Sequence, residues 1–308
     1  MKPETRNFYE EAVLRAIDRV ARSLDQALDL EALAREAALS PFHFHRIFRG
    51  MVGETPLELH RRLRLERAAY TLLAEATPVT SIAFDAGYDT HEAFTRAFRD
   101  RFGCSPMDFR QSPTAEGASR RRPYQIELAA RSGIHFDPSG FEERTVHFIR
   151  GEKVMNVEIK DMKQIRTIAV RHVGPYSQIS EAFGRLGQIA GHAGLLRDKP
   201  TMIAIYHDDP EITPERELRS DAAISVPEAV PVPEGTIEHR LPAGRYACTV
   251  HEGPYERLGD TWARFMGQWL PGSGHRIAGP TGYEIYLNTP MDVPKDQLRT
   301  ELYVQLAS

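Results

Sequence analysis

Two arginines hold matching positions in two stretches of related sequence. Arg46 stands two residues after Phe44, and Arg96 stands two residues after Phe94. An arginine side chain can donate paired hydrogen bonds to a phosphate group or to the major-groove edge of guanine, which suits it to nucleic-acid recognition. The pattern predicts two related surfaces that contact phosphate or bases, and the elements that present them must be repeated as well.

The second of these stretches, residues 80–110, has the pattern of two short helices joined by a turn. Apolar residues at helical spacing begin at Ile82, Gly87 interrupts them, and Asp89 or Thr90 can cap the helix that follows. This is the pattern of a helix-turn-helix unit, whose second helix turns its polar face to a DNA major groove. On that face the candidate DNA-binding residues are His91, Glu92, Thr95 and Arg96, with Arg99 beside them.

An earlier copy of the same unit occupies residues 30–56. Ser40 is placed to cap its second helix, Pro41 takes the first helical position, and Phe44 and Phe48 belong to the packing stripe. Phe42 could belong to the core, but because these two phenylalanines already supply the packing, we expect it to be exposed at the DNA surface. The candidate DNA-binding residues of this copy are Phe42, His45, Arg46 and Arg49.

A single predicted helix connects the two copies. Thr55 and Glu58 form a capping box around Pro56, and this box opens a helix that runs to about Glu75. Two recognition helices on one connector can enter successive major grooves, about 34 Å apart, on one face of the duplex. We therefore expect a monomer to bind an asymmetric site in double-stranded DNA.

Residues 7–111 resemble the DNA-binding domain of the AraC-type transcription factors. The resemblance is carried by the run IAxxxGYxxxxxFxRAFxxxFGxSPxxFR, which begins at Ile82. It is strongest to the members that act as monomers at stress-response and multidrug-resistance promoters, and it implies base contacts from both recognition helices. Relatives often carry glutamines where this chain has His91 and Glu92, so its preferred DNA sequence should differ. For His45, His91 and Glu92, the alternative is that they contact only phosphate, only water or nothing.

The second half of the chain is also duplicated. Residues 171–194 and 250–274 share His-x-Gly-Pro-Tyr followed by an amphipathic helix, with strand-like runs before and after each copy. Strand-helix-strand-strand, twice, predicts an α+β domain with an antiparallel sheet and two helices on one side. We expect the other face of the sheet to form a cleft. The whole chain is then an all-α N-terminal domain with two helix-turn-helix units, followed by this α+β domain.

Residues 154–306 resemble the GyrI-like, or gyrase-inhibitor-like, effector-binding domain. In that family a cleft binds small organic molecules that are often cationic and aromatic, and acidic residues on the last strands meet the positive charge. By position these acids are Glu284 and Glu301, and a carboxylate among aromatic rings suits a lipophilic cation. The other candidate effector-binding residues are Tyr176, Tyr206, Tyr255 and Trp262.

Some of these aromatic residues have a simpler alternative role. Tyr176 and Tyr255 follow matching Gly-Pro turns and could serve only to start their helices. Trp262 and Trp269 lie in an apolar stripe that is typical of a core. We expect Leu258, Phe265 and Met266 of that stripe to be core residues, and Trp262 or Trp269 is its weaker pocket candidate.

Composition and segment boundaries complete the prediction. We assign 1–112 to DNA binding, 113–153 to a linker and irregular segment, and 154–308 to effector binding. With 41% hydrophobic and 27% charged residues, no membrane-length apolar run and no apolar N-terminal signal, the 308 residues are typical of a soluble cytoplasmic protein without a membrane partner. Three consecutive arginines at 120–122 could contact phosphate or form a solvated tether.

The sequence favours no catalytic, metal or cofactor site. The two cysteines lie far apart, and the twelve histidines contain no pair at metal-binding spacing on a helix. His172, His207 and His251 look isolated at strand ends. The leading hypothesis is a sequence-specific transcriptional regulator that senses a small molecule and recruits or blocks RNA polymerase. The alternatives are a small-molecule hydrolase that uses a cleft glutamate, and a ligand-free protein-docking module.

Overall fold

The computed structural model describes residues 3–111, 132–138, 146–149, 155–208, 213–279 and 282–307. Of the predicted linker and irregular segment at 113–153, residues 113–131, 139–145 and 150–153 lie outside the described residues. The chain forms two compact units, of which one contains the described residues of Met1–Glu11, Ala38–Gly50 and Arg150–Ser308, and the other those of Ala12–Ala37 and Met51–Ile149. Among the helices that the structure describes, none is both long enough and apolar enough to span a membrane.

Residues 3–111 are helical, as predicted. The helices are α1 (Pro3–Arg22), α2 (Leu30–Glu36), α3 (Pro41–Val52), α4 (Pro56–Ala74), α5 (Val79–Asp85), α6 (His91–Phe102) and α7 (Pro106–Gln111). In the predicted helix-turn-helix units, α2 with α3 is the first pair and α5 with α6 the second, and α4 is the connector.

Local hydrogen bonds account for where two of these helices begin. At α4 the predicted capping box is confirmed, because Glu58 N–H donates to Thr55 Oγ1 (3.1 Å) and Thr55 N–H donates to Glu58 Oε2 (2.8 Å). At α6 the cap is Thr90, whose Oγ1 accepts from Ala93 N–H at 3.1 Å. These side chains satisfy amide groups that the first helical turn leaves without partners.

The second helix-turn-helix unit has a compact aromatic core. Phe94 and Phe98 of α6 are completely buried and pack with Ala83 of α5, Leu72 of α4 and Phe109 of α7. Alanine at 83 lets α5 approach α6 closely. This packing fixes which side of α6 faces inward and leaves its polar side at the surface.

The C-terminal unit contains one antiparallel sheet, which confirms the predicted fold class. Its strands are β1 (Glu158–Met162), β2 (Ile165–Val173), β3 (Met202–Tyr206), β4 (Arg219–Ser225), β5 (Ile237–Leu241), β6 (Gly244–Glu252), β7 (Tyr283–Tyr286) and β8 (Arg299–Gln305). In the described part of the chain the strand order is β1-β6-β8-β7-β3-β4-β2-β5. Six of these strands were predicted, and the edge strands β1 and β5 were not.

Two helices lie on one face of this sheet, as predicted. Helix α8 (Ser180–His192) buries Leu186 against β2 and β4. Helix α9 (Leu258–Arg264) continues through a π-helical turn (Phe265–Trp269) into α10 (Leu270–Ser273). Leu258, Phe265 and Met266 are buried, which confirms them as core residues.

The repeated His-x-Gly-Pro-Tyr motif builds the same turn twice. His172 Nε2–H donates to the Pro175 carbonyl oxygen at 2.9 Å, and His251 Nε2–H donates to that of Pro254 at 3.1 Å. The glycine inside each turn has φ of +134° or +119°, a region that a side chain would strain. The motif thus places a tyrosine at the start of the helical segment in each half of the domain.

Candidate functional site

Glu284 is a buried carboxylate held by three aromatic donors. Glu284 is only 2% exposed. Trp262 Nε1–H donates to Oε1 at 2.7 Å, while the Tyr206 and Tyr286 hydroxyls donate to Oε2 at 2.9 and 3.2 Å. Both carboxylate oxygens are therefore hydrogen-bonded, as a buried charge requires. We call Glu284, Tyr206, Tyr286 and Trp262 the aromatic carboxylate site.

Strand register brings these four residues together. Glu284 and Tyr286 are two residues apart on β7, so they share a face. Ala204 of β3 lies opposite Glu284, and Tyr206 follows it on the same face. Trp262 reaches this face from α9. Because Ala204 is small, it leaves room above the sheet between the aromatic side chains.

The electrostatics of the site favour a positive charge. Burial raises the pKa of Glu284, although hydrogen bonds from Trp262 and Tyr206 and the positive charge of Arg46 act in the opposite direction. Burial and the adjacent carboxylate also hold the pKa of Tyr206 well above its ordinary value, so this hydroxyl stays protonated as a donor. A cation that enters the site would stabilise the ionised carboxylate.

Two further predicted residues flank the site. The Tyr176 ring lies 4.8 Å from that of Tyr206, and the Tyr255 ring lies 5.3 Å from that of Tyr286, centroid to centroid in edge-on geometry. One tyrosine comes from each copy of the repeated turn. The structure thus brings together five of the predicted effector-binding residues: Glu284, Tyr206, Trp262, Tyr176 and Tyr255.

Glu301 does not join them. It pairs with Ile285 across β7 and β8, so it points to the opposite face from Glu284. There Glu301 accepts hydrogen bonds from Lys160 Nζ (2.9 Å) and the Tyr303 hydroxyl (2.8 Å). The expectation of one cleft with both carboxylates is wrong, because neighbouring residues on a strand alternate between faces. The aromatic carboxylate site also lies on the helix-bearing face, whereas we expected the cleft on the other.

The sequence did not single out Tyr286. A signal for it was available, because it stands two residues after Glu284 in a predicted strand and must share its face. Its hydroxyl contacts both Glu284 and the Tyr206 hydroxyl, at 3.2 and 3.3 Å. Tyr286 therefore belongs to the site, since its hydroxyl donates to Glu284 just as that of Tyr206 does.

Two residues of helix α3 pack against the aromatic carboxylate site, and residues 38–50 belong to the same compact unit as that site. Phe42 is 3% exposed and packs on Ala204 and Tyr206. The Arg46 guanidinium lies over the rings of Phe42 and Trp262, 4.2 and 4.6 Å from their centroids. The expectation that Phe42 is exposed is therefore wrong.

The other predicted residues of α3 differ in exposure. His45 is 4% exposed, also contrary to the outward face that we expected, whereas Arg49 is exposed. The helical period showed that Phe44 and Phe48 form one stripe. It carried no information about the aromatic surface that the C-terminal domain offers to the neighbouring side of α3. Contact of these residues with DNA stays a prediction.

The polar face of α6 is open, in contrast to that of α3. His91, Glu92 and Arg96 are exposed, and Thr95 is partly buried. Arg99 is exposed on the same helix. This agrees with the predicted outward face, while contact with bases by these residues stays a prediction.

One arginine of the connector has a structural role. Arg62 is 7% exposed, and its guanidinium donates to Glu66 Oε1 at 2.8 Å, to Glu54 Oε2 at 2.9 Å and to the Ile134 carbonyl oxygen at 2.8 Å. Burial acts to raise the pKa of Glu66, but His135 and Arg62 outweigh it and hold that pKa below its ordinary value. Arg62 is therefore engaged in a buried ion-pair network and is not presented to phosphate.

The histidine at 207 is not isolated, contrary to expectation. His207 Nε2 lies 2.5 Å and His239 Nε2 lies 2.8 Å from Asp221 Oδ2, and this grouping could hold a metal ion. Arg171 also pairs with both oxygens of Asp221. Burial acts to raise the pKa of Asp221, but hydrogen bonds from His207, His239 and Arg171 hold it far below its ordinary value. The carboxylate is thus already neutralised by protein groups.

Comparison with known proteins matches the two halves of the chain to different families. Residues 33–112 match a family described as a helix-turn-helix domain, and residues 155–307 match one described as a GyrI-like small molecule binding domain. The DNA gyrase inhibitor of Erwinia billingiae (strain Eb661) is 33% identical over 141 residues, which cover 44% of this chain and 87% of that protein.

Two regulators or DNA-binding proteins match the N-terminal half. Regulatory protein SoxS of Salmonella typhimurium (strain LT2) is 30% identical over 102 residues, which cover 33% of this chain and 95% of SoxS. Right origin-binding protein of Escherichia coli (strain K12) is 33% identical over 103 residues, but the match spans only 36% of that protein's length. These sequence matches are consistent with the exposed polar face of α6 and with the aromatic carboxylate site. The chain belongs to the AraC-type helix-turn-helix DNA-binding regulators that carry a GyrI-like small-molecule-binding domain.

Proposed function

We propose that the effector of this regulator is a lipophilic, aromatic cation, and that it binds at Glu284. The observation that carries the proposal is a fully buried carboxylate whose hydrogen-bond donors are neutral aromatic side chains. Ring faces attract a cation most strongly where water is excluded. An anionic effector would be repelled by Glu284, and a neutral one would gain nothing from it.

Thermal denaturation with a matched pair of ligands tests this effector chemistry. Tetraphenylphosphonium offers the positive charge and aromatic surface, while triphenylphosphine oxide is similar in shape but neutral. A ligand at a hundredfold excess over its dissociation constant stabilises a protein by about 2.7 kcal/mol. We expect stabilisation by the cation and little by the neutral compound, and equal stabilisation by both would remove the role proposed for Glu284.

We further propose that both recognition helices read DNA, with Arg96 contacting a base. Replacing Arg96 with alanine should relax preference at one base position at a cost of about 1–3 kcal/mol. Arg99→Ala, on the same exposed helix, is the matched control, and we expect it to weaken all sequences alike and reduce the salt slope by about 0.9. Binding-site selection with each variant distinguishes them. If neither variant changes base preference, the assignment of Arg96 fails.

We also propose an oligomeric state, a location and a mode of action for this regulator, each of which follows from binding to a promoter. A chain with two helix-turn-helix units can bind an asymmetric site as a monomer. It would act in the cytoplasm, where promoter DNA and RNA polymerase are found, and recruit or block the polymerase. Sedimentation of the chain with a selected duplex measures the stoichiometry, and two chains per duplex would contradict the monomer.

A second candidate function is hydrolysis of a small electrophile in the same cleft. The specific observation in its favour is that burial raises the pKa of Glu284 beside the Tyr206 hydroxyl. Against it, both oxygens of Glu284 already accept hydrogen bonds, so the carboxylate is held and not presented for attack. We propose binding without turnover. Mass spectrometry of an electrophile panel incubated with the protein tests this, and product formation that Glu284→Gln abolishes would reverse the proposal.

A further inference from the structure

Helix α3 occupies the place that the proposed effector would take. We propose that residues 41–50 are an internal ligand of the aromatic carboxylate site, so that an effector must displace the first recognition helix in order to bind. The inference rests on the proposed effector site at Glu284, and it adds a competitor that belongs to the chain itself. It also assigns a regulatory consequence, because the same residues of α3 are the ones predicted to contact DNA.

The apolar part of this internal ligand is Phe42. Its ring packs on Ala204 and Tyr206 and lies edge-on to Trp262, with 6.2 Å between centroids. Tyr206 and Trp262 belong to the aromatic carboxylate site, and Ala204 lies opposite Glu284 in the sheet. At 3% exposure, Phe42 is enclosed as a bound aromatic ligand would be, and its ring is not accessible to DNA.

The cationic part is Arg46. Its guanidinium lies over both Phe42 and Trp262, at distances within cation–π range. Trp262 is also the donor to Glu284 Oε1, so the arginine lies against a ring that holds the carboxylate. An aromatic ring and a delocalised cation together reproduce the chemistry that we propose for the effector.

Helix α3 approaches the C-terminal domain closely at Ala263 and Gly267, and we call the surface around these two residues the seat of α3. A Cβ atom at Gly50 would lie 2.0 Å from the Ala263 carbonyl oxygen and 2.6 Å from Gly267 Cα, so only glycine fits. Near this contact, Arg49 forms an ion pair with Asp260, with 3.7 Å between Nη2 and Oδ1. In the second repeat, Asp100 takes the place of Gly50 and Glu92 that of Phe42, and both are exposed. Only the first of these two recognition helices therefore has the side chains for this seat.

The arrangement couples effector and DNA. While α3 is seated, Phe42 and His45 are covered, whereas the polar face of α6 is open. An effector that takes the place of Phe42 and Arg46 frees the first recognition helix. Because coupling between two ligands is reciprocal, effector and DNA should each tighten the binding of the other by the same factor.

A charge reversal at the edge of the seat tests the internal ligand without any effector. Asp260→Arg places a cation beside Arg49 and should release α3. Glu256→Arg makes the same change of charge at another exposed site of the domain, so it controls for general attraction to DNA. With a duplex selected by the wild-type chain, we expect Asp260→Arg to bind about fivefold more tightly than Glu256→Arg. Equal affinities of the two variants would overturn the inference.

Removal of the internal ligand tests the competition. A site that is covered nine-tenths of the time binds about tenfold more weakly than an open one. Phe42→Ala and Arg46→Ala in the full chain should therefore bind tetraphenylphosphonium about tenfold more tightly by calorimetry. Phe84→Ala, which removes an exposed ring of α5, should not. Weaker binding by both variants would show that these side chains hold the effector and do not compete with it.

The two experiments separate the two proposals. If Asp260→Arg tightens DNA binding but no variant binds the cation, the seating of α3 stands and the proposed effector chemistry fails. If wild type and variants bind the cation with equal affinity and the DNA affinities are unchanged, the effector site stands and the internal ligand fails.

Discussion

Replacing Glu284 with glutamine removes the charge from the aromatic carboxylate site while preserving its size. A glutamine carbonyl oxygen can still accept from Trp262 Nε1–H, which is a donor only. Its amide group would then face Tyr206 and Tyr286, whose hydroxyls can rotate to accept. The hydrogen bonds can therefore be re-formed, and the variant isolates the contribution of the negative charge.

The loss of cation binding can be estimated from Coulomb's law. For a cation centre about 5 Å from the carboxylate and an effective dielectric constant of about 20, the attraction is roughly 3 kcal/mol. That corresponds to about a hundredfold in affinity, and screening by solvent reduces it. We expect Glu284→Gln to bind tetraphenylphosphonium about tenfold to a hundredfold more weakly. Affinity for neutral triphenylphosphine oxide should stay within about threefold.

The dependence on pH has a definite sign. Because burial raises the pKa of Glu284, wild-type affinity for the cation should fall as pH falls through that raised value, and the variant should show no such decline. For folding the sign is opposite. A carboxyl group with a raised pKa binds its proton more tightly in the folded state, so stability falls as pH rises from its ordinary to its raised pKa. Glu284→Gln should remove that loss of stability.

Isothermal titration calorimetry with both ligands between about pH 5 and pH 8 measures these effects. Urea denaturation over the same range confirms that the variant is folded. An equal loss of affinity for the cationic and neutral ligands would mean that Glu284 shapes the site and does not supply charge. The same pH profile in wild type and variant would refute the assignment of the titration to Glu284.

Three further predictions concern stability. Arg62→Ala should lower the free energy of unfolding by about 3–5 kcal/mol, because the buried Glu66 loses the guanidinium that pairs with it at 2.8 Å, and urea denaturation measures it. Thr55→Ala should cost about 1 kcal/mol in the same assay, since a helix cap is lost. Chelation with EDTA should leave the melting temperature unchanged, because Arg171 already neutralises Asp221; a drop would indicate a bound metal.

The elements that depend on near neighbours in sequence were predictable. The capping box at Thr55 and the cap at Thr90 involve residues three positions apart, and both were observed. The paired His-x-Gly-Pro-Tyr turns are likewise local. In contrast, β1 and β5 pair with β6 and β2, so each short strand lies beside a strand of the other half of the domain. Their pairing depends on partners that are distant in sequence.

The candidate site was predictable in composition and only partly in geometry. Residue type and position marked Glu284, Tyr206 and Trp262, which the structure joins by hydrogen bonds. The separation of Glu284 from Glu301 depends on the register of β7 against β8, which places Ile285 opposite Glu301. A shift of one residue in that register would have put the two carboxylates on one face.

The sequence by itself determined the repeated helices and strands and the residue types that each face carries, because periodicity and capping are local properties. It also identified Phe42 and Arg46 as neighbours on one side of α3. Only the tertiary structure decided what that side meets, namely Trp262 and the buried Glu284 site. The physical reason is that a helical period shows which residues share a face, whereas the surface packed against that face is assembled from residues about two hundred positions away.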